Sequence, residues 1–148
     1  MAKFGVPILK KLLLLLVPLL AFASVQDAER RIWIQIVSAI FQNKKIVKVY
    51  SLCPKLSQKI PKNSNIILVD TPKKADLIIA NKYVNFAVDK PIFVRKYYLL
   101  QRYKNRAVGG FYWQKGRPNI IFEEKSLKKF GIILPESFQR YVEYEEVD

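Results

Sequence analysis

Side chains that carry acid–base and nucleophilic chemistry are sparse in this 148-residue chain. It has no histidine and one cysteine, Cys53. Without histidine there is no imidazole to act as a general base, to activate a serine or thiol, or to ligate a metal. What remains is the carboxylate pair, which does acid–base work when two carboxyl groups face each other across a substrate. Between Arg30 and Val142 the carboxylates are Asp70, Asp76, Asp89, Glu123, Glu124 and Glu136. No spacing among them suggests such a pair. The sequence therefore predicts a non-enzymatic protein with no cofactor and no metal site, whose chemistry is recognition.

Aromatic and arginine side chains dominate interface energies because they bury large area and hydrogen-bond at their tips. Two stretches concentrate them: KYYLLQRYK at 96–104 and GGFYWQKGRPNIIFEEKSLKKFG at 109–131. Tyr97, Tyr98 and Arg102 in the first, with Lys115 and Arg117 at a turn in the second, are the candidate partner-binding residues. Each also has a plainer reading, as a tyrosine filling the edge of the core or a solvated cation.

The charge sets the kind of partner. The chain carries +14, and removing Lys3, Lys10 and Lys11 leaves +11. The end is acidic, with Glu143, Glu145, Glu146 and Asp148, so the body is more basic than the total suggests. Such a field favours an acidic partner or an anionic membrane face. Its cations are scattered as single lysines and Lys-Lys pairs, which also suits a solvated surface.

The start of the chain reads as an export signal. A basic leader precedes an apolar run over 12–20, and Ala21-Phe22-Ala23 supplies small residues for a signal peptidase. That run is far shorter than the roughly 20 residues a membrane span needs. Cleavage between Ala23 and Ser24 is predicted, leaving a single domain of about 125 residues, 24–148, with a short acidic tail over 143–148. Export argues against a nucleic-acid partner. A lone cysteine cannot form an internal disulfide, so Cys53 is either a half-buried thiol or a bridge between chains.

The elements that position the candidate residues follow from periodicity. Residues 25–42 show helical spacing through Ile32, Ile36, Val37, Ile40 and Phe41, widened by Trp33 and Ile34. Residues 46–52 alternate as a strand, and Cys53-Pro54 opens a short helical turn. NIILVD at 65–70 and ADLIIA at 75–80 read as buried strands. The link between them is too short for a crossover helix, so they are either an antiparallel pair or not neighbours in the sheet. Residues 91–95 form another strand, and 96–104 loop or irregular helix. Residues 107–114 and 117–123 form a hairpin on a Lys115-Gly116 turn. If Gln114 pairs with Arg117, then Phe111, Trp113, Ile120 and Phe122 share one face, expected in the core. A short helix then ends at Gly131, and Leu134-Pro135-Glu136 opens a last one. The fold class is α/β: one small domain, a central mixed sheet of about five to six strands with helices on its faces, and a C-terminal β-hairpin followed by two short helices.

RRIWIQIVSAIF, IVKVYSL, ADLIIAN, GGFYWQKGRPNIIFEE, SLKKFGI and LPESFQRYV occur here in the order of the YfiR/HmsC-like periplasmic proteins, and the chain resembles that family over most of its length. It departs at Glu124-Lys125 and Leu134-Pro135, where the family commonly has Asn and Ser, and in having only Cys53 where members often carry paired cysteines. The resemblance implies a periplasmic regulator that tends to dimerise. It would restrain an inner-membrane diguanylate cyclase, or another sensor protein, by binding its periplasmic part. The competing expectation is a periplasmic module that senses or binds an anionic small molecule. A further one is weak contact of the basic face with anionic lipid.

Overall fold

In the computed structural model the described residues are 27–53, 55–60, 62 and 64–144. The leader and the cleavage residues Ala23 and Ser24 lie outside them, as do residues 145–148 of the acidic tail. Among the described residues no helix is long and apolar enough to cross a membrane.

Helix α1 covers residues 27–40. It is followed by β1 (Val47–Ser51), α2 (Leu56–Lys59), β2 (Ile66–Leu68), β3 (Leu77–Ala80) and β4 (Ile92–Val94). Then come α3 (Tyr98–Tyr103), β5 (Ala107–Gln114), β6 (Arg117–Glu123), α4 (Glu124–Lys129) and β7 (Val142–Glu143). The strands make one seven-stranded sheet in the order β2-β1-β3-β4-β5-β6-β7. The first five are mutually parallel, β6 runs antiparallel to β5, and β7 lies parallel to β6. The fold class is thus the α/β mixed sheet expected, with seven strands where five to six were predicted. The additional strand is β7, two residues long, which follows a 3-10 turn (Glu136–Tyr141) where a last helix was expected.

β2 and β3 flank β1 on opposite sides, which resolves the short link between the two apolar runs: they are not neighbours. All four residues of β3 are buried, as a central strand covered on both faces requires. β2 departs from that expectation. It is the edge strand, and Ile67 and Leu68 are exposed because no strand continues beyond them.

Two cores sandwich the sheet. On one face Trp33, Ile36 and Val37 of α1 meet Val49, Ile79 and Phe93. On the other, Leu99, Leu100 and Tyr103 of α3 meet Ile78, Ile92 and Val94. The crossover over 81–91, between parallel neighbours β3 and β4, contains no helix. Side chains pin it instead. Tyr103 donates its hydroxyl to Lys82 O at 2.6 Å and accepts the Val84 N–H at 2.9 Å, while Arg106 donates to Val88 O.

The hairpin register is the one expected, with Gln114 opposite Arg117 and Phe111 opposite Ile120. Lys115 and Gly116 both have positive φ, 51° and 73°, the type I′ geometry that matches strand twist. Gly109 is required by packing: a Cβ there would lie 2.3 Å from Ile121 O and 2.9 Å from the Phe93 ring. α4 closes with a Schellman motif in which Ile132 N–H reaches Leu127 O and Gly131 N–H reaches Lys128 O.

A candidate binding rim at one end of the sheet

Because five strands are parallel, the sheet has two chemically distinct ends. At the amino end the carboxylates are matched. Asp76, just before β3, accepts Lys44 Nζ at 2.7 Å and the Lys48 backbone N–H at 2.9 Å. Burial pushes the Asp76 carboxyl upward, but those two hydrogen bonds and the lysine charges outweigh it and hold the pKa below 3.8. Asp89, before β4, pairs with Lys129 at 3.0 Å and lies 4.0 Å from Arg106. Glu124 pairs with Lys128 at 2.7 Å across one turn of α4. These carboxylates serve as structural ion-pair partners. Among the described residues no group of three or more His, Cys, Asp or Glu side chains is arranged to hold a metal ion.

The carboxyl end differs. Beyond β4 come Arg95, Lys96, Tyr97 and Tyr98, and beyond β5 comes the hairpin tip. Arg95 is the half-buried part. Its guanidinium donates to Glu29 at 3.2 Å and lies over the rings of Trp33 and Phe111, 5.3 and 5.7 Å from their centroids. This contact fixes the start of α1 over the sheet and leaves no free charge on Arg95. Above it the surface is aromatic and cationic. Tyr97, Tyr98 and Trp113 are 38–56% exposed, and every residue from 113 to 118 is exposed. Lys96, Lys115 and Arg117 form no ion pair with a described residue. The pairing of Gln114 with Arg117 puts Arg117 on the same side of the hairpin as Tyr112, whose ring meets Tyr97 edge-on at 5.8 Å.

Of the five residues singled out from sequence, Tyr97, Tyr98, Lys115 and Arg117 therefore lie at this rim. Arg102 lies one turn along α3 from Tyr98 and stacks over Tyr83 at 4.3 Å, an adjoining cation–π pair. Sequence reasoning missed Trp113 and Tyr83. Trp113 shares the face of buried Phe111, as the alternation predicted, but the hairpin outruns the core there. Its position two residues before the turn was the available signal. Tyr83 sits in the helix-free crossover, which has no periodicity to read.

A groove of about 510 Å3 runs from the rim along α3, lined by Tyr97, Gln101, Lys104, Glu123, Lys125 and Glu143 among others. Burial raises the Tyr112 phenol above its usual pKa, and Tyr97 and Glu143 add to the effect. Lys104 has φ 54° and ψ −133°, a conformation that L side chains rarely adopt.

The chain matches no family model, no curated protein and no solved structure. Fold and site together describe an α/β domain with a mixed sheet covered on both faces and an aromatic and cationic rim beyond the carboxyl ends of β4 and β5.

Proposed function

We propose that this protein is a non-enzymatic periplasmic regulator that works by binding, with the carboxyl-end rim as its contact surface. The observation that carries this reading is the rim itself: exposed Tyr97, Tyr98 and Trp113 beside Lys96, Lys115 and Arg117, none of them in an ion pair with a described residue. Exposed aromatic and arginine side chains held on rigid elements are the raw material of interface hot spots. The resemblance to YfiR/HmsC-like proteins supplies the class of partner, the periplasmic part of an inner-membrane signalling enzyme such as a diguanylate cyclase. Any cyclic-di-GMP chemistry then belongs to that partner.

The test is capture from solubilised inner membranes by the chain from Ser24 onward, washed at low and then high salt. Recovery of a diguanylate cyclase or sensor kinase through the high-salt wash, reduced at least ten-fold by Trp113→Ala with Tyr98→Ala, supports the reading. Capture that is indifferent to both substitutions moves the contact surface elsewhere. Capture of no signalling enzyme removes the regulatory assignment.

One observation favours a second reading, a small-molecule sensor. The groove along α3 is of ligand size and is bordered by the strained Lys104. Its lining balances Lys104 and Lys125 with Glu123 and Glu143, which suits a polar or zwitterionic ligand better than the simple anion expected from net charge.

A further inference from the structure

We propose that the carboxyl-end rim seats on an anionic lipid surface, with Trp113 and the tyrosines entering the headgroup layer and the cations contacting phosphate. Tyr and Trp have an apolar body and a polar tip, the combination that sits at a membrane–water boundary. Here three of them, Tyr97, Tyr98 and Trp113, stand exposed at one end of the sheet. Lys96, Lys115 and Arg117 flank them and are not neutralised by any described carboxylate. At the start of α1, Glu29 is buried and bonded to Arg95, and Asp27 lies 3.7 Å from Arg30.

Shape suits a lipid surface. The six residues 113–118 are all exposed, so the hairpin tip projects from the sheet and Trp113 can bury its ring without any core residue moving. The neighbouring groove along α3 carries both signs, Lys104 and Lys125 with Glu123 and Glu143, so the excess of cations belongs to the rim. The first described residues enter at this same end, since Glu29 of α1 bonds to Arg95 just beyond β4.

The proposal is independent of the regulatory reading. A chain that binds vesicles but captures no signalling enzyme keeps this inference and loses that one. The test uses the chain from Ser24, which retains every described core residue, with vesicles of phosphatidylcholine alone or mixed with phosphatidylglycerol. Two tryptophans make the readout local, because Trp33 is wholly buried and Trp113 is exposed. Co-sedimentation with the anionic vesicles only is expected, weakening as salt rises. It is accompanied by a blue shift of emission and protection from aqueous iodide, both absent in Trp113→Phe.

Lys115→Glu with Arg117→Glu weakens binding at least twenty-five-fold, from roughly five-fold for each cation removed. Lys45→Glu with Lys90→Glu, the same charge change at the amino end, weakens it less than five-fold. Equal losses from the two pairs overturn the proposal in favour of a diffuse field effect. So does binding that leaves Trp113 open to iodide. Absence of binding to anionic vesicles at low salt refutes it outright. A blue shift with polyglutamate as large as that with vesicles assigns the rim to an acidic polypeptide instead.

Discussion

The two ends of the sheet use charge in opposite ways. At the amino end Asp76, Asp89 and Glu124 each sit within 3.0 Å of a lysine, and Asp76 also receives a backbone N–H. That end joins strand starts and helix ends to one another. At the carboxyl end the ion pair of Glu29 with Arg95 fastens α1, and Lys96, Lys115 and Arg117 stand beside exposed aromatic rings with no described acid to meet them. Burying a tyrosine or tryptophan is favourable, and leaving them exposed together on a rigid rim forgoes that stabilisation. The contrast separates groups that hold the fold from groups available for contact.

Substitutions can break this division or sharpen it. The largest effect is expected in the sheet between the two ends. Gly109→Ala drives a Cβ against the Ile121 carbonyl, a backbone atom that cannot rotate away, and should destabilise by roughly 3 kcal/mol or more in denaturant unfolding. A loss below 1 kcal/mol would show that β5 and β6 yield at this point.

Asp76→Asn should cost about 2 kcal/mol at neutral pH, because it removes a charge-assisted bond and weakens a backbone one. The folded-state pKa of Asp76 lies below the unfolded value of 3.8. Its stabilisation is therefore fully present above pH 3.8 and is lost as pH falls through the folded pKa. The stability difference between wild type and Asp76→Asn should shrink in that acid window. A difference that stays constant down to pH 2 would contradict the pairing.

Lys104→Gly should raise stability by about 1 kcal/mol, since glycine accepts the positive φ that lysine holds under strain. Its effect on the groove is then read separately, by binding. Smallest of all on stability, Lys115→Glu with Arg117→Glu should change it by no more than about 0.5 kcal/mol, as expected for exposed side chains outside any packing.

Much of this fold was legible because local signals agreed with tertiary ones. The α1 face, the hairpin register and the Gly131 cap all follow from period and turn chemistry, and link length excluded the two apolar runs as parallel neighbours while leaving their exact placement open. What escaped has physical reasons. β2 has the composition of a central strand, and only strand order, a long-range property, exposes Ile67 and Leu68 at the edge. β7 is two residues long and shows no alternation. The helix-free crossover over 81–91 is held by Tyr103 and Arg106 from elsewhere in the sequence, so nothing within it announces its path. The candidate site was half legible. Tyr97, Tyr98, Lys115 and Arg117 could be named by residue type, but their gathering at one end depends on β4 and β5 being parallel, which composition does not encode.

The central claim is that the carboxyl end, and not the basic charge in general, is the binding surface. Its most direct test is capture of the membrane partner by two charge-reversed forms of the chain from Ser24, Lys115→Glu with Arg117→Glu and Lys45→Glu with Lys90→Glu. The two carry the same net charge and should be equally folded by circular dichroism. The predicted result is at least a ten-fold loss of the captured signalling enzyme with the first and capture near wild type with the second. Equal losses, or a greater loss from the amino-end pair, would contradict the claim.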